Sequence, residues 1–255
     1  MKLLKFVTVI CSFLLCTTAA HADKIIVVAA ADMKFAMEEI SVAFKKAHPG
    51  DEVQIIYGSS GKAHTQIQQG APYDIFFSAD VAFPEHLVKK QMAVQPIRPY
   101  AIGRITLWST TKDASKMTLE SLTDPKITRI ALPNPAHAPY GKRAEEALRA
   151  MGLWDRLKPK FVYGEDMIQT TQFVQTGNAQ AGIISLSFAL NPMLSKMGGY
   201  YLISDKLHHP LDQAYVITKL GSTKPLAKTF GDYMSSKPVR AIMIKYGFVL
   251  PGDVR

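Results

Sequence analysis

Cysteine is the first thing this sequence lacks. Only two occur in 255 residues, Cys11 and Cys16, and both fall in a leading segment that reads as an export signal. Beyond them there is no thiol, hence no disulfide framework, no thiolate metal site and no cysteine nucleophile. Long apolar runs are also missing. Phe6 to Leu15 is mostly apolar but too short to span a bilayer as a stable anchor, and no later segment approaches that length. Nor is charge of one sign gathered anywhere. Lys and Arg number 30 against 21 Asp and Glu, but the lysines come in ones and twos from Lys24 to Lys245. That spread argues against nucleic acid and for a solvated surface with a long-range attraction for anions.

What is present starts with the leader. Lys2 and Lys5 form a basic n-region, the apolar run follows, and Ala20-His21-Ala22 supplies a small-x-small cleavage site. Residues 1–22 therefore read as a secretory signal, with the mature chain starting near Asp23 and acting in the periplasm. Leu15 stands before Cys16 where lipidation would want a small residue, which argues against a lipoprotein. Without the leader 28 basic residues face 21 acidic ones, a net charge of +7. The remaining 233 residues are enough for two compact lobes.

The chain is organised around Val27-Val28-Ala29-Ala30-Ala31-Asp32-Met33. Ile25 to Val28 suit a strand covered on both faces. From Met33, apolar residues recur at Ala36, Met37, Ile40, Phe44 and Ala47 with helical spacing, and Asp32 stands where an N-cap would. Strands are expected at 53–57, 74–78, 105–109, 127–132, 161–163, 181–185 and 214–218, alternating with helices near 62–69, 80–90, 119–122, 142–151, 165–176, 188–197, 224–235 and 239–246. This rhythm predicts an α/β fold with parallel sheets and helices on their faces. The order suggests two Rossmann-like lobes, residues 23–101 with 211–255 and residues 102–210, joined by a two-strand hinge with a cleft between.

Four strand-to-helix junctions stand out: Ala31-Asp32-Met33, Ser59-Ser60-Gly61, Ala138-Pro139-Tyr140-Gly141 and Glu165-Asp166-Met167. Each would present unpaired backbone N–H groups and the positive end of a helix dipole, a ready anion site. One alone is an ordinary α/β turn. Four facing a cleft would surround a small anion with neutral donors.

Several blocks resemble the periplasmic molybdate-binding proteins of ABC importers. They are Ala29-Ala30-Ala31, Phe44-Lys45-Lys46, Gly58-Ser59-Ser60, Gly70-Ala71-Pro72-Tyr73-Asp74-Ile75-Phe76-Phe77-Ser78-Ala79-Asp80, Asn134-Pro135-Ala136-His137-Ala138-Pro139-Tyr140-Gly141, Gly164-Glu165-Asp166-Met167 and Tyr246-Gly247-Phe248. The resemblance runs through the whole chain after the leader. It implies a type II periplasmic binding fold that closes over molybdate or tungstate, needs no other cofactor, and passes the anion to an inner-membrane permease. A monomer that is not an enzyme is expected. Ligand positions carry over to Ala31, Asp32, Ser60, Tyr140, Met167 (through its backbone N–H) and Ser185. These groups, Asp32, Ser60, Tyr140 and Met167 foremost, would touch the oxygens of the oxyanion; none would ligate the metal atom.

The pattern departs from that family in two places. Many relatives have a serine or a threonine–asparagine pair where this chain has Ala31-Asp32, and many carry a tyrosine where Ser185 stands, a role Tyr140 is placed to take. A carboxylate aimed at a dianion would be repelled unless protonated or turned away. The favoured expectation is that Asp32 caps its own helix and offers its main-chain N–H. Direct side-chain contact, or a ligand carrying its own proton, stays open. Other readings are the same fold binding phosphate, chromate or a small carboxylate, and a hydrolase using Ser60. The last lacks the final glycine of a nucleophile elbow and any triad spacing. His137 and the pair His208-His209 make weak metal geometry, and Lys62 and His64 read equally as anion attractors or a solvated helix face.

Overall fold

The computed structural model describes residues 23–253; the leader expected at 1–22, with both cysteines, lies outside the described residues. Chain order is β1 (Lys24–Ala30), a 3-10 turn over Ala31–Met33, α1 (Lys34–Ala47), β2 (Glu52–Gly58), α2 (Ser60–Gln68), β3 (Ile75–Ser78), α3 (Ala82–Lys89) and β4 (Ala93–Gly103). Arg104 alone separates β4 from β5 (Ile105–Trp108). Then come β6 (Ile130–Pro133), α4 (Pro139–Ala150), α5 (Trp154–Leu157), β7 (Phe161–Gly164), α6 (Met167–Gln175), β8 (Ala181–Ser185), α7 (Leu186–Ala189), α8 (Pro192–Met197) and β9 (Tyr200–Leu202). The chain closes with β10 (Leu211–Thr218), α9 (Pro225–Tyr233) and α10 (Lys237–Lys245).

Two five-stranded sheets result, ordered β2-β1-β3-β10-β4 and β7-β6-β8-β5-β9. In the first, β1 pairs parallel with β2 and β3, while β10 runs antiparallel between β3 and β4. In the second, β6 pairs parallel with β7 and β8, while β5 runs antiparallel between β8 and β9. The two sheets share one plan. Three parallel strands in crossover order are completed by an antiparallel strand that has just arrived from the other sheet. The two crossings, at Arg104 and over 203–210, make the two-strand hinge, and the fold is the expected type II binding-protein fold.

Burial explains the sheet faces. Ile25, Val27 and Ala29 of β1 join Met37, Ile40, Phe44, Phe230 and Met243 on one side of the first sheet. Val28 joins Ala63, Ile67, Phe76 and Leu87 on the other. A strand covered on both faces must be apolar at every position, which is why β1 was readable. Trp108 and Trp154 sit in the core of the second half. Among the described residues no helix is long and apolar enough to cross a membrane.

Several local expectations are corrected. Residues 93–103, for which no strand was expected, form the long strand β4 at an edge of the first sheet. Pro96 and Pro99 hid it, and an edge strand tolerates such residues because one side needs no ladder hydrogen bonds. Pairing continues through Ile102 to Gly103, so the first crossing falls at Arg104 and not at 101/102. The helix expected over 188–197 is two short ones, with Asn191 capping the second and Pro192 in its first turn. The strand β9 was not foreseen.

Candidate functional site

All four junctions converge on one small cavity between the carboxyl ends of the two sheets. It is lined by Ala30, Ala31 and Asp32, by Gly58, Ser59 and Ser60, by Ala138, Pro139 and Tyr140, and by Asp166 and Met167, with Ala79 and Pro133 completing the wall. Its volume is about 20 Å³. That leaves room for one compact polar group, against roughly 300–1,000 Å³ for a pocket that takes a drug-sized molecule. The helices α1, α2, α4 and α6 all begin at this wall. Their first-turn N–H groups have no intrahelical acceptors and their dipoles add positive potential there.

Small residues make the convergence possible. Ala30, Ala31 and Ala79 from the first half pack into the core of the second, so the backbones come close without intervening side chains. Gly61 is required by a close approach: a Cβ there would lie 2.6 Å from the His137 carbonyl oxygen, which instead accepts the Gly61 N–H at 2.9 Å. His137 Nδ1 and Ser59 Oγ are 2.9 Å apart. Lys62 pairs with Glu165, and Arg143 Nη2 stands 3.6 Å from Asp80 Oδ2. Each of these contacts joins one half of the molecule to the other.

Asp32 is only 2 % exposed and is not the helix cap that was expected. The N-cap of α1 is Met33, and no side-chain cap bond is made there or at the 3-10 turn. That turn swings the carboxylate across the cleft. Tyr140 Oη and Gln213 Nε2 each donate to its Oδ2 at 2.9 Å, and the same Gln213 nitrogen donates to Tyr140 Oη at 3.1 Å. Ser187 Oγ donates to the Asp32 carbonyl at 2.7 Å. Oδ1 is buried with no hydrogen-bond partner, as is Gln213 Oε1. Burial without a cation pushes the Asp32 pKa up to about 6, against the lowering effect of the Gln213 and Tyr140 hydrogen bonds and, least, of its own backbone N–H. Burial, then the Asp32 charge, raises the Tyr140 phenol well above its ordinary value, so it stays a neutral donor.

The other predicted positions fall as follows. Ser60 is 1 % exposed, and its Oγ accepts the Ala79 N–H at 3.0 Å. No histidine reaches it; the imidazole of His137 goes to Ser59. Met167 lines the cavity at the start of α6, where Asp166 Oδ1 caps Gln169 N at 2.9 Å. Ala31 also lines the wall. Ser185 does not: its Oγ binds Ser187 Oγ and accepts the Phe188 N–H, and its own N–H goes to Met167 Sδ at 3.2 Å. Ser185 thus caps α7 and supports the wall from behind. Lys62 is engaged by Glu165, His64 Nε2 lies 2.8 Å from His86 Nδ1, and His209 Nδ1 is 3.2 Å from Glu146. Among the described residues no three acidic, histidine or cysteine side chains cluster as a metal site.

Ser187, on the Asp32 carbonyl, was not foreseen, and neither were three further participants. Ala79 contributes only backbone and has no residue-type signal. Gln213 lies 181 positions from Asp32; its signal was an amide inside an apolar strand. Gly103 is the third, since a Cβ there would sit 2.2 Å from Tyr140 Oη and 2.7 Å from Gln213 Nε2.

The family model for bacterial extracellular solute-binding proteins matches residues 25–249. The molybdate-binding protein ModA of Rhodobacter capsulatus is 32 % identical over 233 residues, covering 90 % of each chain. The solved periplasmic molybdate-binding protein of Azotobacter vinelandii superposes with a TM-score of 0.84 at 32 % identity, over 89 % of this chain and 99 % of that one. The sulfate-binding protein SubI of Mycobacterium tuberculosis shares the fold, with a TM-score of 0.75 at 13 % identity.

Proposed function

From the premise that this chain belongs to the bacterial extracellular solute-binding proteins, we propose that it captures molybdate, with tungstate as a near-equal, and hands it to an inner-membrane ABC permease. The supporting observation is the single small cavity on which two helix-starting junctions from each sheet converge. Neutral donors and helix ends suit an oxyanion whose charge is dispersed over several oxygens. Ala31, Asp32, Ser60 and Met167 are the groups that would touch those oxygens, with Ala79 beside Ser60 and Tyr140 at the wall giving its one hydroxyl proton to Asp32 Oδ2. The leading segment and the family together support export to the periplasm. The chain would act as a monomer without catalysis, and the anion is cargo, so no resident cofactor is invoked.

Selectivity would follow from cavity size and donor count. Molybdate and tungstate differ little in size and should bind alike, while the smaller sulfate leaves donors unmatched. Contacts from both halves at once would favour the closed form. Asp32 sets the electrostatic problem: two unit charges about 4 Å apart repel by about 4 kcal/mol at an effective dielectric near 20, and a dianion doubles this.

Calorimetric titration of ligand-stripped protein with molybdate, tungstate, sulfate and phosphate tests the assignment. One-to-one binding of the first two, with sulfate at least a hundredfold weaker, is expected. Heat from phosphate alone would overturn the assignment while leaving the family intact.

A further inference from the structure

Two carboxylates stand at the cavity wall against a dianion, Asp166, whose Oδ1 accepts the Gln169 N–H as a helix cap, and Asp32, which caps nothing. It has no compensating cation. The groups facing it are Tyr140 from α4, Gln213 from β10, Ser187 from α7 and Tyr100 from β4. Asp166 and Met167 from the start of α6 share the cavity wall. Tyr100 donates its hydroxyl to the Ser78 carbonyl at 3.1 Å and does not bond the carboxylate. Tyr140 and Gln213 give both their hydrogen bonds to one oxygen, Oδ2. The other oxygen is left bare and buried in a side chain that lines the anion cavity. A buried polar atom without a partner is costly and calls for an explanation.

We infer that Asp32 is the specificity-determining proton carrier of this site: it takes up one proton as the oxyanion enters and donates it from Oδ1 to a ligand oxygen. Two neutral donors on Oδ2 hold the carboxyl in place, and the proton on Oδ1 turns the bare acceptor into the donor the anion needs. The step is a plain protonation. One proton leaves bulk water for Oδ1, no covalent bond to the anion forms, and release returns the proton. The raised pKa of Asp32 is in keeping with this, since little free energy separates the two forms near neutrality. Tyr100 and Tyr140 remain protonated throughout, because burial raises both phenols well above their ordinary range. His137 is held towards its neutral form by burial and by Lys62, and it faces Ser59 and Glu165 instead of the carboxyl.

The inference rests on the oxyanion reading above and sharpens it. Binding would consume a proton, so affinity would fall as pH rises above the free-site value: loss of the proton with rising pH favours the ionised, repelling form. Titration of the wild-type protein with sodium molybdate between pH 7 and 9, in pairs of buffers with different ionisation heats, reads this directly and needs no variant. About one proton taken up per anion is expected, with Kd rising about tenfold per pH unit. Asp32→Asn carries a neutral amide donor. It should take up no proton, lose the pH slope, and bind molybdate at least tenfold tighter than wild type at pH 9. Asp32→Ser, with its neutral hydroxyl, should also be flat in pH should the amide disturb folding. Tight wild-type molybdate binding with no proton exchange and a flat Kd would overturn the inference and leave the oxyanion assignment standing. Absence of molybdate binding in wild type and both variants across the range would remove the assignment, and the inference with it.

Discussion

Asp74 and Asp32 are both buried in the first sheet, one at its amino end just before β3 and the other at its carboxyl end just after β1. Asp74 is answered by a cation: its Oδ2 accepts the Ile26 N–H at 2.8 Å and the Lys224 ammonium at 2.9 Å, its carbonyl accepts the Thr218 N–H at 3.0 Å, and its Oδ1 is buried without a partner. The carbonyl is so closely packed that a Cβ on Gly221 would lie 2.1 Å from it. Asp32 likewise leaves its Oδ1 bare, but its Oδ2 has two neutral donors and no cation, and the residue lines the cavity. The same residue type does structural work where a cation answers it. Where the protein leaves its charge unanswered, the carboxylate lines the cavity proposed for the anion. What sets the cavity end apart is a buried carboxylate without a cation, which the other end of the sheet shows to be avoidable.

The comparison can be broken most severely at the cation-paired end. Asp74→Ala strips acceptors from Ile26 and Lys224 and should lower stability by about 2–4 kcal/mol. Urea unfolding at pH 7 would show it, and molybdate affinity should hold. At the open end the sign reverses. Asp32 has its pKa raised from 3.8 to about 6 in the folded protein, so the fold holds this proton more tightly than the unfolded chain does. Its contribution is complete below pH 4 and is lost as pH rises through 6. Relative to wild type, ligand-free Asp32→Asn should therefore gain about 2–3 kcal/mol at pH 8 and almost nothing at pH 4. Equal urea midpoints at pH 8 would show that the carboxylate is better solvated than its burial implies.

A smaller effect is expected at Gly103. An added methyl must displace the Tyr140 hydroxyl or the Gln213 amide. Gly103→Ala should cost about 1–3 kcal/mol through overpacking, with a matching loss in molybdate affinity by calorimetry. A variant that binds normally would mean the donors on Asp32 can shift without consequence. The smallest change is predicted at the rim. Lys62 and Glu165 are each about half exposed, at 52 % and 54 %, so Lys62→Ala should alter affinity by less than about 1 kcal/mol, and less still at high salt.

How much of this could be read in advance depended on whether a feature was local. The strands β1, β3 and β8 are short apolar runs between turn signals, and the helix starts at Ser60, Pro139 and Met167 follow small or capping residues. These signals lie within a few positions of one another. Five of the predicted ligand positions that line the cavity, Ala31, Asp32, Ser60, Tyr140 and Met167, came from them and from the family resemblance. What was missed is non-local. Asp32 resembles a cap by position, and only the 3-10 turn and a tyrosine 108 residues away turn it into the cavity. Gln213 and Gly103 meet Tyr140 through sheet pairing between β4 and β10, which no window along the chain contains. At Ser185 the resemblance places a ligand group, and in this structure the hydroxyl accepts the Phe188 N–H within its own turn.

The shared sheet plan also bears on the order in which the molecule can assemble. The second sheet draws all its strands from the continuous stretch between Ile105 and Leu202. The first cannot close until β10 arrives to separate β3 from β4, and its core also waits for Phe230 and Met243. A chain that emerges amino end first therefore exposes β1 to β4 as an unfinished sheet while the later half folds. Long-range pairing of this kind is slow and leaves strand edges open to aggregation. The half that begins first finishes last, and Asp32 acquires its partner Gln213 only at that final stage.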